Sequence, residues 1–313
     1  MSGRPITTLR DRRLAEAAVL VVMVTWAANF IVVKAAIVVI PPIAFAALRF
    51  GLAGIFLLVL LRWREGSIWL PRRDALAIAG LGVLGFGIYQ VLWATALHDI
   101  AAGDSAILVA STPIFTALLA VAAGSDVLTP LKLAGALISF LGVGIVIAGG
   151  HGLALGTSLV GDALTIVAAV CWAGYSAFGA PILRRHSPLR TSAWAVVAGA
   201  VFLAVPGIPL LLGTDLASVG GDAWAAVLFS ALIPAGVANV VVLHGIKLLG
   251  PTRVTTLQYF VPAFAVVLAF VFLHEPIRLA QVLGGVVIVV GILISRRGFT
   301  WPARPTRQPW AGG

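Results

Sequence analysis

Apolar runs of about twenty residues recur along the whole chain, each closed by charge, proline or glycine. They fall at 14–33, 42–61, 75–97, 104–123, 131–149, 160–182, 192–212, 223–246, 254–273 and 277–295. A helix rises about 1.5 Å per residue, so about 20 residues cross a hydrocarbon core of about 30 Å. The pattern predicts an all-α integral membrane protein of ten transmembrane helices with short loops. The tightest connection is Leu273-His274-Glu275-Pro276, where the Glu-Pro pair breaks the helix because a residue before proline avoids the helical region.

Composition agrees. Of 313 residues, 61% are hydrophobic and 10% charged, and the mean hydropathy is +1.09, against roughly 45–50% apolar and about 25% charged residues in a soluble domain. Such an excess cannot be buried in one aqueous core, which excludes a soluble enzyme, a nucleic-acid-binding domain and a secreted module. Arg4, Arg10, Arg12 and Arg13 before the first run resemble a signal peptide. That run is long enough to span and a second follows at once, so it reads as a retained first helix. The single cysteine, Cys171, sits in an apolar run and makes neither an internal disulfide nor a Cys-based zinc site.

The net charge of +10 is a statement about topology. With the N-terminus in the cytoplasm, eighteen Lys and Arg fall on the inner side against two, Lys34 and Arg278, on the outer, while Arg49 lies within a span. One missed or extra helix would invert every later loop, so both termini are expected in the cytoplasm. Residues 1–13 form a basic cytoplasmic N-terminus, and 298–313, rich in Pro and Arg, a flexible cytoplasmic tail. The basic surface adds affinity for anionic inner-leaflet lipid and calls for no nucleic acid.

The chain also repeats itself. Ser111–Gly142 overlays Phe260–Gly291 at an offset of 149: Pro113 meets Pro262, Phe115 meets Phe264, Asp126 meets Glu275, Gly135 meets Gly284 and Gly142 meets Gly291. Trp26-Ala27 matches Trp172-Ala173 at an offset of 146. The division is 14–149 and 150–297, five helices each. Five is odd, so the second copy starts on the opposite side from the first: Asp126 falls inside and Glu275 outside. Inverted repeats of this kind belong to secondary transporters, whose halves exchange packing; a purely structural duplication would leave the same pattern.

Trp26-Ala-Ala-Asn29, Leu48-Arg49-Phe50 and Ser111-Thr-Pro113 before Asp126 resemble the EamA type of the drug/metabolite transporter superfamily, as do Val261-Pro262, Glu275 and the Gly284/Gly291 helix. The resemblance covers essentially residues 14–295 and rests on the order and spacing of short motifs. It implies five plus five helices and export or facilitated movement of amino acids and other small metabolites. The branch exporting aromatic amino acids (YddG-like) is one the chain could belong to. Asp126 stands where the family usually has Glu.

Candidate substrate-binding residues carry both a functional and a packing interpretation. Trp26 and Asn29 share one face of the first helix, and Trp172 and Tyr175 repeat that spacing in the sixth. Tyr89, Gln90 and Trp93 continue a stripe from Phe86 in the third helix, able to stack on a flat solute or simply to pack. Ser111 and Thr112 precede Pro113, and Thr255, Gln258 and Tyr259 precede Pro262. The two prolines are candidate hinges, and each frees a backbone carbonyl that could receive a substrate ammonium. Arg49, costly within a membrane, is either a clamp for a substrate carboxylate or a structural residue. His98 and His244 sit near span ends.

No Asp or Glu falls near the centre of a span, although a proton/cationic-drug antiporter is expected to need one. No Walker, HExxH or GxSxG motif occurs. The sequence thus points to a non-enzymatic secondary transporter of small metabolites, foremost neutral or aromatic amino acids, working by alternating access without cofactor or metal. Its expected partners are a small-molecule solute and the lipid bilayer, as a monomer or homodimer. An Arg- and Ala-rich, Lys-poor composition suggests a GC-rich bacterial gene, and the expected location is the bacterial inner membrane. The rivals are a proton-coupled exporter of cationic drugs and, from another class, an integral-membrane enzyme or non-transporting receptor.

Overall fold

The computed structural model describes residues 9–123, 127–151, 157–183, 185–249, 254 and 257–297. Asp126, Thr255, Arg253, Arg184 and the segments 1–8 and 298–313 lie outside the described residues. The described residues form α1 (Leu9–Ala36), α2 (Pro42–Glu65), α3 (Arg72–Asp99), α4 (Ala102–Ala122), α5 (Pro130–His151), α6 (Thr157–Leu183), α7 (Pro188–Leu212), α8 (221–249), α9 (Phe260–Leu273) and α10 (Leu279–Arg297). Nine are long and apolar enough to cross a membrane, and α9 is a shorter apolar helix. Its C-terminus falls where Glu-Pro requires, with His274 left-handed at φ 56°.

Large apolar side chains stand exposed on the outside of the bundle: Leu137 and Leu141 on α5, Val201 and Val205 on α7, Val282 and Val286 on α10. Each pair is spaced by four, one helical turn, as a lipid-facing stripe should be. With lipid outside, apolar burial does little to draw helices together, and close backbone approach decides the packing. Gly142 and Gly284 show it: a Cβ built on either would lie 2.7 Å from the other's carbonyl oxygen. Gly135 lies against Gly291 in the same seam. Partner numbers fall as residue numbers rise, so α5 and α10 run antiparallel. In the middle of this seam the Ser139 hydroxyl donates to the Ile288 carbonyl at 3.0 Å, across 149 residues, the repeat offset itself. A residue bonded to its own repeat mate marks the pseudo-twofold axis.

The other contacts obey the same exchange of helix n with n + 5. α2 packs on α7; α3 on α6 as α8 on α1; α1 on α9 as α6 on α4. Equivalent helices break at equivalent places. α3 contains a π-helical turn at Val83–Ile88 and α8 one at Ile233–Val237. In α8 the cause is Pro234, which lacks an N–H and whose ring crowds the preceding turn. In α3 glycines serve: a Cβ on Gly85 would meet the Tyr175 ring at 2.6 Å. α4 is interrupted at Ala110–Ser111, just before Pro113, and α9 begins after a turn at Gln258–Tyr259, just before Pro262.

Candidate functional site

α3 and α6 present their aromatic residues to each other, and α1 and α2 close the row. Phe30 meets Trp93 edge-on at 5.3 Å; Trp93 stacks on Tyr89 at 6.3 Å; Tyr89 lies 5.5 Å from Trp172. Trp172 then contacts Tyr175 at 5.2 Å and Phe86 at 5.6 Å, with Phe86 also 5.1 Å from Tyr175 and 5.7 Å from Phe50. Edge-to-face and offset geometries of this kind favour ring pairs by about 0.5–1.5 kcal/mol beyond burial. Trp93 lies six residues before the end of α3 and Tyr175 eighteen residues into α6. Measured from the Lys34 end of the bundle, the row therefore descends from about 10 Å to about 27 Å.

Arg49 sits at the upper end. Its guanidinium carbon lies 4.7 Å from the centre of Phe50 and 6.0 Å from Trp93, within the range of cation–π attraction. Gln90, one turn from Trp93, is buried beside it on α3. The expected stripe of Tyr89, Gln90 and Trp93 and the expected pair Trp172 and Tyr175 thus converge, together with Arg49.

The remaining candidates go elsewhere. Trp26 Nε1 donates to the Pro234 carbonyl at 3.2 Å, and Asn29 Oδ1 accepts from Ser230 Oγ at 2.5 Å. The polar face of α1 is therefore engaged by α8, at the repeat equivalent of the α6–α3 joint. Ser111 Oγ donates to the Leu108 carbonyl and Thr112 Oγ1 to the Val109 carbonyl, both at 2.6 Å. The carbonyl that Pro113 leaves without a helical donor is thus occupied by Thr112. The carbonyl before Pro262, that of Gln258, accepts from Val261 N at 3.0 Å. Each of the two carbonyls thus already accepts one hydrogen bond within its own turn. Gln258 lies in the turn before α9. Tyr259 packs against the apolar cluster that includes Ile107, Val146 and Ile288, with the Arg296 guanidinium 5.5 Å from its ring, away from the row. His98 pairs with Asp99 at 2.9 Å, and both His98 and His244 are exposed. Among the described residues no cluster of His, Cys, Asp or Glu is placed to hold a metal ion.

Above the row, the Lys34 end is held by a polar network built around Glu275 and Asp104. Glu275 accepts the N–H groups of Ala102 at 3.0 Å and Gly103 at 3.3 Å, capping α4, and lies 3.8 Å from Lys34 Nζ. Lys34 also donates to the carbonyls of Leu97 and Ile100. Asp104 in the first turn of α4 pairs with Arg278 at 3.2 Å and accepts from Gln281 at 2.8 Å. A carboxylate at a helix N-terminus gains from both the free amides and the helix dipole. At the opposite end, the α2–α3 and α6–α7 connections are tied by Glu65–Arg190 at 3.0 Å, Asp74–His186 at 2.7 Å and Asp74–Arg185 at 3.2 Å.

Phe30, Phe50 and Ser230 escaped the sequence reading of the site. Their only signal was position: two follow Asn29 and Arg49 directly, and Ser230 is a polar residue four before a proline inside an apolar run.

The geometry has counterparts. A solved structure described as "Crystal structure of protein" superposes with a TM-score of 0.65 at 21% identity, over 90% of this chain and 95% of that one, and so shares the fold. The uncharacterized transporter YyaM of Bacillus subtilis strain 168 is 27% identical over 284 residues, covering 90% of this chain and 93% of its own. A probable terminal-alkyne amino-acid exporter of Streptantibioticus cattleyicolor is 28% identical over 290 residues, 90% of this chain and 92% of that one. The uncharacterized inner membrane transporter YedA of Escherichia coli K12 is 26% identical over 296 residues, with 91% and 92% covered. The profile of the EamA-like transporter family matches twice, at residues 13–148 and 159–297, once for each set of five helices. The chain is a multi-pass membrane protein and belongs to the EamA-like transporter family.

Proposed function

We propose that the protein is a secondary transporter of the bacterial inner membrane that exports or equilibrates neutral or zwitterionic metabolites with hydrophobic side chains, foremost aromatic and aliphatic amino acids. The observation that carries this reading is the aromatic row from Phe30 and Trp93 through Tyr89 and Trp172 to Tyr175 and Phe86, whose polar members are neutral save Arg49. Rings at successive depths give a flat apolar side chain an equivalent contact at each level. The relative named as an amino-acid exporter supports the same class. The inverted arrangement of equivalent helices supports alternating access: the halves rock about the α5–α10 seam, and the Lys34–Glu275 network parts when that end opens.

Solute flux into liposomes containing the purified protein tests it, with Phe, Trp, Leu, Thr, Glu and a cationic dye, each with and without a pH gradient. Saturable flux of Phe, Trp and Leu without a gradient is the expected result. Flux of the dye alone, and only with the gradient, overturns this reading in favour of proton-coupled export of cations. Turnover of a membrane-embedded compound without solute movement would favour an enzyme.

A further inference from the structure

At the upper end of the aromatic row, three buried polar atoms have no hydrogen-bond partner: Arg49 Nε, Trp93 Nε1 and Gln90 Oε1. Their residues are 6%, 2% and 4% exposed. Among the described residues no carboxylate pairs with Arg49; its guanidinium lies against the faces of Phe50 and Trp93 and is close enough to interact with Tyr89. A desolvated guanidinium without a counter-ion and an indole N–H and amide oxygen without partners are each unfavourable alone. Here they occur on facing turns of α2 and α3. The repeat mate of Gln90 at the 149-residue offset, Asn239, is by contrast satisfied, donating to the Ala235 carbonyl at 2.8 Å. Ala198 and Val242 stand at the offset positions of Arg49 and Trp93, so the second half does not repeat this cluster.

Two N–H donors, one of them cationic, beside one carbonyl acceptor match an α-amino acid head group. The carboxylate takes the N–H groups of Arg49 and Trp93 in charge-assisted bonds, and the ammonium donates to Gln90 Oε1. Tyr89 lies one turn below Trp93, about 6 Å along α3, where the side chain of such a solute would begin to meet rings.

We propose that Arg49, Trp93 and Gln90 form a head-group site that selects zwitterionic α-amino acids over amines and carboxylic acids of the same side chain. This rests on the aromatic row being the transport site. The test is competition against phenylalanine counterflow in proteoliposomes, using phenethylamine, which lacks the carboxylate, and 3-phenylpropionate, which lacks the ammonium. In the wild type both should compete at least about tenfold more weakly than phenylalanine, the loss set by one hydrogen bond to a charged group. Trp93→Phe, which removes the N–H and keeps a ring, should weaken phenylalanine and 3-phenylpropionate but not phenethylamine. Gln90→Leu should weaken phenylalanine and phenethylamine but not 3-phenylpropionate. Equal competition by all three compounds in the wild type overturns the head-group site while leaving the transport reading intact, and needs no variant to fold. A uniform loss for all three compounds in both variants also overturns it. No counterflow of phenylalanine or any other hydrophobic amino acid removes the transport reading, and the head-group site with it.

Discussion

Asn29 and Ser230 are a polar pair in a chain with few others, and their value lies in what happens when one is removed. Ser230→Ala leaves Asn29 Oδ1 buried and unmatched, which costs about 1–3 kcal/mol. The melting midpoint in detergent, followed by tryptophan fluorescence, should fall by several degrees. The double change Asn29→Leu with Ser230→Ala removes both partners and should recover most of the loss; an unchanged midpoint in Ser230→Ala would show that the pair contributes nothing. Trp172 acts differently, because it touches Phe86, Tyr89 and Tyr175 at once. Trp172→Ala should raise KM for phenylalanine and tryptophan about tenfold, equivalent to one or two ring contacts, and raise that for leucine less. Equal increases for all three would assign Trp172 to packing alone.

Helices meet here through backbone as much as through side chains. Gly142→Leu has no room against the Gly284 carbonyl and should cost about 1–3 kcal/mol or more, visible as a lower melting midpoint. Gly144→Leu, where an added Cβ meets nothing within 4 Å, should stay within about 0.5 kcal/mol of the parent. These glycines were legible in the sequence because they recur at the repeat offset, and the ten runs were legible because span length is a fixed physical requirement. The interruptions were only half visible. Pro113 and Pro262 announced theirs, but the π-helical turn in α3 comes from small residues admitting Tyr175, a tertiary cause that no local pattern displays. The site divided the same way. Tyr89, Gln90, Trp93, Trp172 and Tyr175 share helical spacings and come together. Trp26 and Asn29 share one too, yet their partners lie some 200 residues away on α8. Spacing gives a face and cannot say which helix covers it. Glu275→Gln tests the capped end of α4: losing the charge beside free amides and Lys34 costs about 0.3–2 kcal/mol of closure. In a Cys171→Ser background, a cysteine placed at buried Ala94 should react faster with a maleimide in this variant. An unchanged rate would separate the network from gating.

At the scale of the whole molecule the backbone is nearly two-fold symmetric while its polar chemistry is not. Ion pairs bind the α2–α3 and α6–α7 connections at one end, whereas Lys34, Glu275, Asp104 and Arg278 bind the other through α4. Under the proposed alternating access, the two ends would open by breaking different bonds, and the two access states should differ in free energy. With Cys171→Ser as parent, a reducible cross-link between cysteines at Lys34 and Glu275 should stop flux until reductant is added. The same cross-link between Ser139 and Ile288, on the axis, should leave flux nearly unchanged. Flux surviving the first or lost in the second would overturn rocking about this seam.

The hydrogen bond from Ser139 to the Ile288 carbonyl has one more consequence. A residue can meet its own repeat mate in antiparallel register only when the number of helices between the two is even, and here it is four, α6 to α9. If one intervening helix failed to insert, α10 would run parallel to α5. The antiparallel pairing of Gly135 with Gly291 and Gly142 with Gly284 could then not form, nor could the Ser139–Ile288 bond between them. The seam thus serves as a parity check on insertion, made at a single place far from any loop.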